Sequence, residues 1–261
     1  MRLRSVHALY IIIFLVPFII PTTPVNASGP SIPIIGRFST STIGIRIPTT
    51  PKWAHDTVLN ATMAWNQAQV WYAEASNQAN VYSLVESING EAVVSFTMPS
   101  VYSKIAVGWT DYEFSRSSKI IMSTRTYLDP TVFNVNQGNN VTARRLALWL
   151  ALHELGRVLG LGSVLDGRDI MDPRATSSRA DDSPTLSTLD LYALNVLASG
   201  NAPAYVTLPN GIPNQFVEAT SFLANSSNGV IPTPEFNGYS GIIASMVAAA
   251  VVFCYRRRKV S

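Results

Sequence analysis

Apolar and polar positions change their period several times along the chain, and each change marks an element. Thr42 to Ile47 (TIGIRI) alternates, which predicts a strand closed off by Pro48 and Pro51. Asp56 is placed to cap a helix running to about Ala75, in which Val58, Met63, Trp65, Val70 and Trp71 form a core-facing stripe. The aromatic residues of that stripe are read as packing residues and not as a ligand platform. Strand patterns return over Val81 to Glu86, Ala92 to Met98, Ile105 to Glu113 and Lys119 to Thr126, and Asn89-Gly90 predicts a hairpin turn between the first two. Thr142 is then expected to cap a helix that carries Arg144, Leu148, Trp149 and Leu152 up to His153 and ends near Gly160. A last helix is expected over Leu186 to Leu197, with Asp190 and Asn195 on its wetter side. Pattern alone thus describes an α+β domain.

Outside this region the periodicity stops. Residues 28–41 are Pro- and Ser-rich, with Pro30 and Pro33 limiting regular structure, and read as a lead-in. Asn, Pro, Gly and Ser punctuate 200–238, which reads as a stalk. Arg2 and Arg4 precede an apolar run from Ala8 to Ile20, and Val25-Asn26-Ala27 has the small-x-small pattern of a cleavage site. Residues 1–27 are therefore expected to be a signal peptide, with the mature chain starting near Ser28. An uncleaved anchor is the competing reading, and thirteen apolar residues are short for a span. Tyr239 to Tyr255 carries no charge and is followed by Arg256, Arg257, Arg258 and Lys259. It reads as a short transmembrane helix with 256–261 as a basic cytoplasmic tail, the rest facing outward. A cleaved lipid-anchor tail fits less well, because the basic cluster is not expected in one.

This topology removes the apparent basicity. All 16 acidic residues lie between Ser28 and Tyr239 against 13 of the 19 basic ones, so the outer part carries −3. The basic excess belongs to membrane orientation and gives no support to nucleic-acid binding. The lone cysteine, Cys254, lies in the expected span, which leaves the outer part without disulfides. Three N-x-S/T sequons, at Asn60, Asn140 and Asn225, permit glycosylation there.

The chemistry-bearing stretch is Ala151 to Pro173, ALHELGRVLGLGSVLDGRDIMDP. In H-E-x-x-H, two His one helical turn apart bind Zn²⁺ from one face, and the Glu between them polarises the zinc-bound water. His153 and Glu154 stand in place, but the second His position holds Arg157. The longer pattern adds x-x-G-x-x-H and a Met-turn. Gly160 is present, the third His position is Ser163, and Asp169 to Pro173 (DIMDP) matches the turn. On these residues the chain, over about Thr42 to Ser199, resembles the metzincin zinc metallopeptidases, specifically the matrixin branch, with a degenerate zinc site. The resemblance implies a mixed twisted sheet, an active-site helix and a Met-turn. It makes His153 the remaining ligand position, Arg157 and Ser163 the lost ones and Glu154 a vestigial general base. Gly160, Met171 and Pro173 become its structural residues.

A catalytic zinc needs about three protein ligands plus a water. The mature chain keeps only His55 and His153, so replacement ligands would have to be oxygens from Asp166, Asp169, Asp172, Asp181 or Asp182, whose spacing indicates no site. Arg157 stays protonated and opposes a cation on that helix face. It lies three residues from Glu154, which predicts an ion pair that fills the vacated site and favours ionised Glu154. The leading expectation is a single-pass cell-surface protein, without a metal cofactor, whose cleft binds peptide or protein without cutting it. The alternatives are an active zinc endopeptidase with atypical ligands and a structural envelope protein.

Overall fold

The computed structural model of the protein describes residues 29–49, 51–103, 106–116, 118–134, 140–174 and 183–224. The expected signal peptide, transmembrane helix, cytoplasmic tail and distal stalk lie outside the described residues, as do Asn225, Asp181 and Asp182. Among the described residues no helix is long and apolar enough to cross a membrane.

The chain runs β1 (Ser31–Pro33), β2 (Thr42–Arg46), α1 (Lys52–Ser76), β3 (Ser83–Glu86), β4 (Ala92–Ser95), β5 (Gly108–Phe114), β6 (Ile121–Leu128), α2 (Val141–Val158), β7 (Thr185–Ser187), α3 (Thr188–Ala198), β8 (Tyr205–Thr207), β9 (Phe216–Glu218) and α4 (Ala219–Ala224). The main sheet has the order β3-β2-β4-β6-β5, parallel except for β5, which pairs antiparallel with β6 and forms one edge. Helices and sheet together make a mixed α/β fold. Alternation along the strands buries Ile43, Ile45, Leu84, Ala92 and Val94 against the helices.

The hairpin expected at Asn89-Gly90 does not form. β3 and β4 are separated by β2 and run parallel to it, so the turn carries the chain across β2. The crossing is tight: a Cβ on Gly90 would lie 2.4 Å from the carbonyl of Gly44. Turn chemistry specifies a local reversal, whereas the strand that lies alongside is decided by distant pairing. Both long helices also begin earlier than expected. α1 starts after Pro51, which presets an extended φ and makes no side-chain cap, and Asp56 lies inside the helix, bonded to Lys52. At α2 the cap is Asn140, whose side chain accepts from the Ala143 amide, and not Thr142.

α1 packs against α2, with Trp65 at the contact, and Ala61, Ala64, Trp65 and Ala68 of α1 are all fully buried. Small residues let the two backbones approach, and the Trp65 indole donates to the Leu152 carbonyl at 3.0 Å. In the expected stripe Val58, Trp65 and Trp71 are buried, while Val70 is exposed. The capping box of α3 pairs Ser187 with Asp190 reciprocally. Asp190 and Asn195 are both buried, contrary to their expected wet face. Asp190 is consumed by the cap and a neighbouring acid, and Asn195 donates to the Asn80 carbonyl.

The lead-in and the start of the stalk also belong to the packed body. β1 pairs antiparallel with β8, β7 pairs with β9, and α4 lies against α1 with Phe222 edge-on to Trp71. Ile32, Ile34, Phe38, Val206, Ala219 and Phe222 are buried. These segments join the core by single anchoring residues, too sparse to leave a period in the sequence. Phe222, 1% exposed, gives the test: Phe222→Ala should cost about 3 kcal/mol in denaturant unfolding. An unpacked stalk would show no change.

Candidate functional site

From Ala147 to Val158 α2 is buried on nearly every side, which identifies it as an interior helix held from above and below. One strip of it, Trp149, Leu150, His153, Glu154 and Arg157, lines a cleft of about 480 Å³ whose other wall is Val107, Gly108 and Trp109 at the start of β5 and whose end is Pro173. Sequence neighbours one turn apart and an edge strand far from them in the chain are thus brought to one site.

His153 stacks on Trp149, with ring centroids 5.2 Å apart, and its Nδ1 lies 2.8 Å from the Ile170 carbonyl. A carbonyl only accepts, so Nδ1 carries the proton and Nε2 keeps the lone pair. Burial pushes its pKa down to about 4, helped by the Arg157 charge and opposed by the Ile170 carbonyl and Asp172. The imidazole is therefore neutral across the physiological range.

Glu154 is 3% exposed. Its Oε2 accepts from Thr110 Oγ1 at 2.7 Å, and Thr110 in turn meets Thr126 at 3.1 Å. The Arg157 Nε lies 3.9 Å from the same oxygen, too far for a hydrogen bond. The expected ion pair is thus only a loose one, and its expected consequence is reversed. Burial dominates and pushes the Glu154 pKa up to about 7, with Thr110 and Arg157 only partly offsetting it. The side chain of Arg157, 23% exposed, instead sends Nη1 to Ser163 Oγ at 3.3 Å. The two lost ligand positions are bonded to each other.

Thr110 and Tyr112 are site residues that pattern reading missed. Thr110 holds Glu154, and the Tyr112 hydroxyl donates to the Arg157 carbonyl at 3.0 Å. Burial raises the Tyr112 pKa above its ordinary value and keeps the hydroxyl a donor. The available signal was a row of inward-facing polar residues, Thr110, Thr124 and Thr126, at strand positions that otherwise bury apolar groups.

The loop after α2 is shaped by two glycines. Gly160 has φ +97°, and a Cβ there would lie 2.1 Å from the Gly36 carbonyl oxygen; the Ile35 amide bonds the Gly160 carbonyl. Only glycine lets the helix end against the lead-in. Further on, the loop returns beneath α2 so that Met171, fully buried, faces Gly156. A Cβ at Gly156 would lie 2.5 Å from Met171 Sδ and 3.0 Å from Trp65 Cζ2.

The nearby carboxylates are committed elsewhere. Asp166 accepts from the Arg168 amide, and Asp172 is bonded by Arg174 through the amide and guanidinium. Asp169 accepts from the Met171 amide and lies near Asp190 of α3 in the interior, where one oxygen of each carboxyl group has no hydrogen-bond partner among the described residues. Burial raises both pKa values, Asp190 well above its ordinary value, and the Asp169 charge adds to the effect on Asp190.

Among the described residues no three His, Cys, Asp or Glu side chains gather as a metal site. One imidazole beside a guanidinium and a hydroxyl does not fit a zinc ion, and no chemistry is routed through one. His55, the other histidine of the expected mature chain, meets Asp56 and Glu86, which raise its pKa, on a different part of the surface. Asn60 and Asn140 are exposed. Compared with known proteins, the chain matches no family model and no curated sequence.

The Glu154 environment fixes a pH dependence. A carboxyl raised from 4.5 to about 7 holds a proton that the unfolded chain releases. Its contribution to stability is full below the unfolded value and is lost as pH rises through about 7. Glu154→Gln should leave stability near pH 5 little changed and raise it at pH 8, by on the order of 3 kcal/mol if the whole shift is recovered. Thermal melts at the two pH values measure this. A dominant Arg157 ion pair would instead make the variant less stable at pH 8.

Proposed function

We propose that the chain is a matrixin-like, metzincin-derived pseudopeptidase: a single-pass cell-surface protein whose cleft binds extended peptide or protein without hydrolysing it. The observation that carries this reading is the joining of Arg157 and Ser163 to each other beside His153, which puts a guanidinium where the related enzymes need a cation. The Met-turn resemblance is supported by Met171 lying beneath the helix against Gly156 and by Pro173 lining the cleft. The cell-surface placement rests on the character of residues 1–27 and 239–261.

Binding without cleavage is supported by the neighbouring strand. β5 ends the sheet, so one side of its backbone has no strand partner among the described residues. The Asp129 amide bonds the Val107 carbonyl, and with the register Gly108↔Leu128 this sets the phase of the ladder. Backbone groups of Trp109 and Asp111 face β6, and those of Gly108 and Thr110 face the open edge above the cleft. An extended peptide can add there as a further strand, its side chains alternating into and out of the cleft. Cleavage is disfavoured by the same groups: Glu154 is held by Thr110, and among the described residues no second nitrogen ligand stands with His153.

The full chain purified without chelator should contain zinc far below one equivalent and leave an unfolded protein substrate intact. Zinc near one equivalent, or hydrolysis abolished by Glu154→Gln, would restore the active-enzyme alternative. The inherited geometry has its own test. Arg157→His combined with Ser163→His should create binding of about one zinc per chain by calorimetry, because positions 153 and 157 share a helix face and Arg157 already reaches Ser163. Failure of a folded double variant to bind zinc would count against descent from a metal site.

A further inference from the structure

The cleft holds an arginine whose nearest carboxyl group among the described residues stands 3.9 Å away. Arg157 offers five N–H donors in a planar fork. Among the described residues its side chain hydrogen-bonds neutral hydroxyls, those of Ser163 and Tyr112. Glu154, the nearest carboxyl group, stands 3.9 Å from Nε and is bonded by Thr110 at 2.7 Å. Asp129, the other acidic residue lining the cleft, accepts from both the amide and the hydroxyl of Thr131. Asp172, just beyond the cleft, is bonded by Arg174. Each acid near the site has a closer partner, and the guanidinium keeps unused donors in a cleft walled by Trp109, Trp149 and Leu150.

We infer that Arg157 is the specificity residue of this cleft and receives a carboxylate of the bound peptide. The inference rests on the peptide-binding reading above and narrows it to one substrate class. A carboxylate matches the fork with two parallel N–H···O bonds, and the apolar walls strengthen a charged pair that water would weaken. The carboxylate can come from an Asp or Glu side chain of an extended segment or from a free C-terminus. The Ser163 hydroxyl accepts from Nη1 and so helps to hold the guanidinium in place.

The test uses the full-length protein in detergent micelles and short peptide pools carrying an uncharged fluorophore, read by anisotropy. One pool has no acidic residue and an amidated C-terminus, a second has a single Glu and an amidated C-terminus, and a third has no acidic residue and a free C-terminus. The wild type should bind the second or third pool about tenfold more tightly than the first, and which of the two wins identifies the source of the carboxylate. Arg157→Gln should abolish that preference, bringing the three pools to equal affinity, and Arg157→Lys should retain part of it. Equal binding of all pools by the wild type, or a preference that survives Arg157→Gln, overturns the inference and leaves the cleft as a peptide site. Binding of no pool by natively folded protein overturns the peptide-binding reading itself. Should Arg157→Gln not fold, loss of the wild-type preference in high salt supports the inference, and a salt-independent preference overturns it.

Discussion

The organisation of the cleft depends on one missing side chain. At Gly156 the backbone of α2 is touched from two directions, by Trp65 of α1 and by Met171 of the returning loop, and a single methyl group would collide with both. Because neither neighbour is displaced, α2 is clamped between helix and loop, and Trp65 adds a hydrogen bond to the Leu152 carbonyl. His153, Glu154 and Arg157 all lie within one turn of this clamp. Their positions relative to β5 are therefore set by packing of the helix as a whole, and the bonds from Thr110 to Glu154 and from Tyr112 to the Arg157 carbonyl tie the two elements together. Close packing of this kind transmits small changes, since an interior has no slack to absorb them.

The polar groups around the clamp are arranged with one economy: each has a nearby uncharged partner. Thr110 serves Glu154, the Ile170 carbonyl serves His153, Tyr112 serves the Arg157 carbonyl and Ser163 serves its guanidinium. Burial then decides protonation, pulling His153 toward the neutral imidazole and Glu154 toward the neutral acid. Beneath the site, burial likewise raises the pKa values of Asp169 and Asp190 at the junction between the loop and α3. Neutral hydrogen bonds thus carry most of the buried polar groups here, and the buried Asp172 carboxylate is compensated by an ion pair with Arg174. Arg157, at the cleft surface, is the exception, and that is why the charge of the proposed occupant follows from it.

The ends of the described body bear on the site as well. Residues 33–37, which lack a helical or strand period, bond Gly160, Gly162 and the start of β6, and so hold the loop that carries Ser163 and Met171. α4 packs against α1, while β8 and β9 pair with β1 and β7. Segments that look like connectors in one dimension act as braces in three.

By itself the sequence determined the kinds and the order of the principal elements and the residues of the His153 to Pro173 stretch that lie near one another, because period and short spacing are local properties of the chain. It also placed Arg157 and Ser163 where the resemblance puts metal ligands. Only the tertiary structure decided that β4 lies across β2 from β3, that Thr110 and not Arg157 holds Glu154, and that Asp190 faces another acid in the core. Each of those outcomes joins residues tens of positions apart, and which distant groups meet is chosen by packing and burial, for which a one-dimensional pattern carries no term.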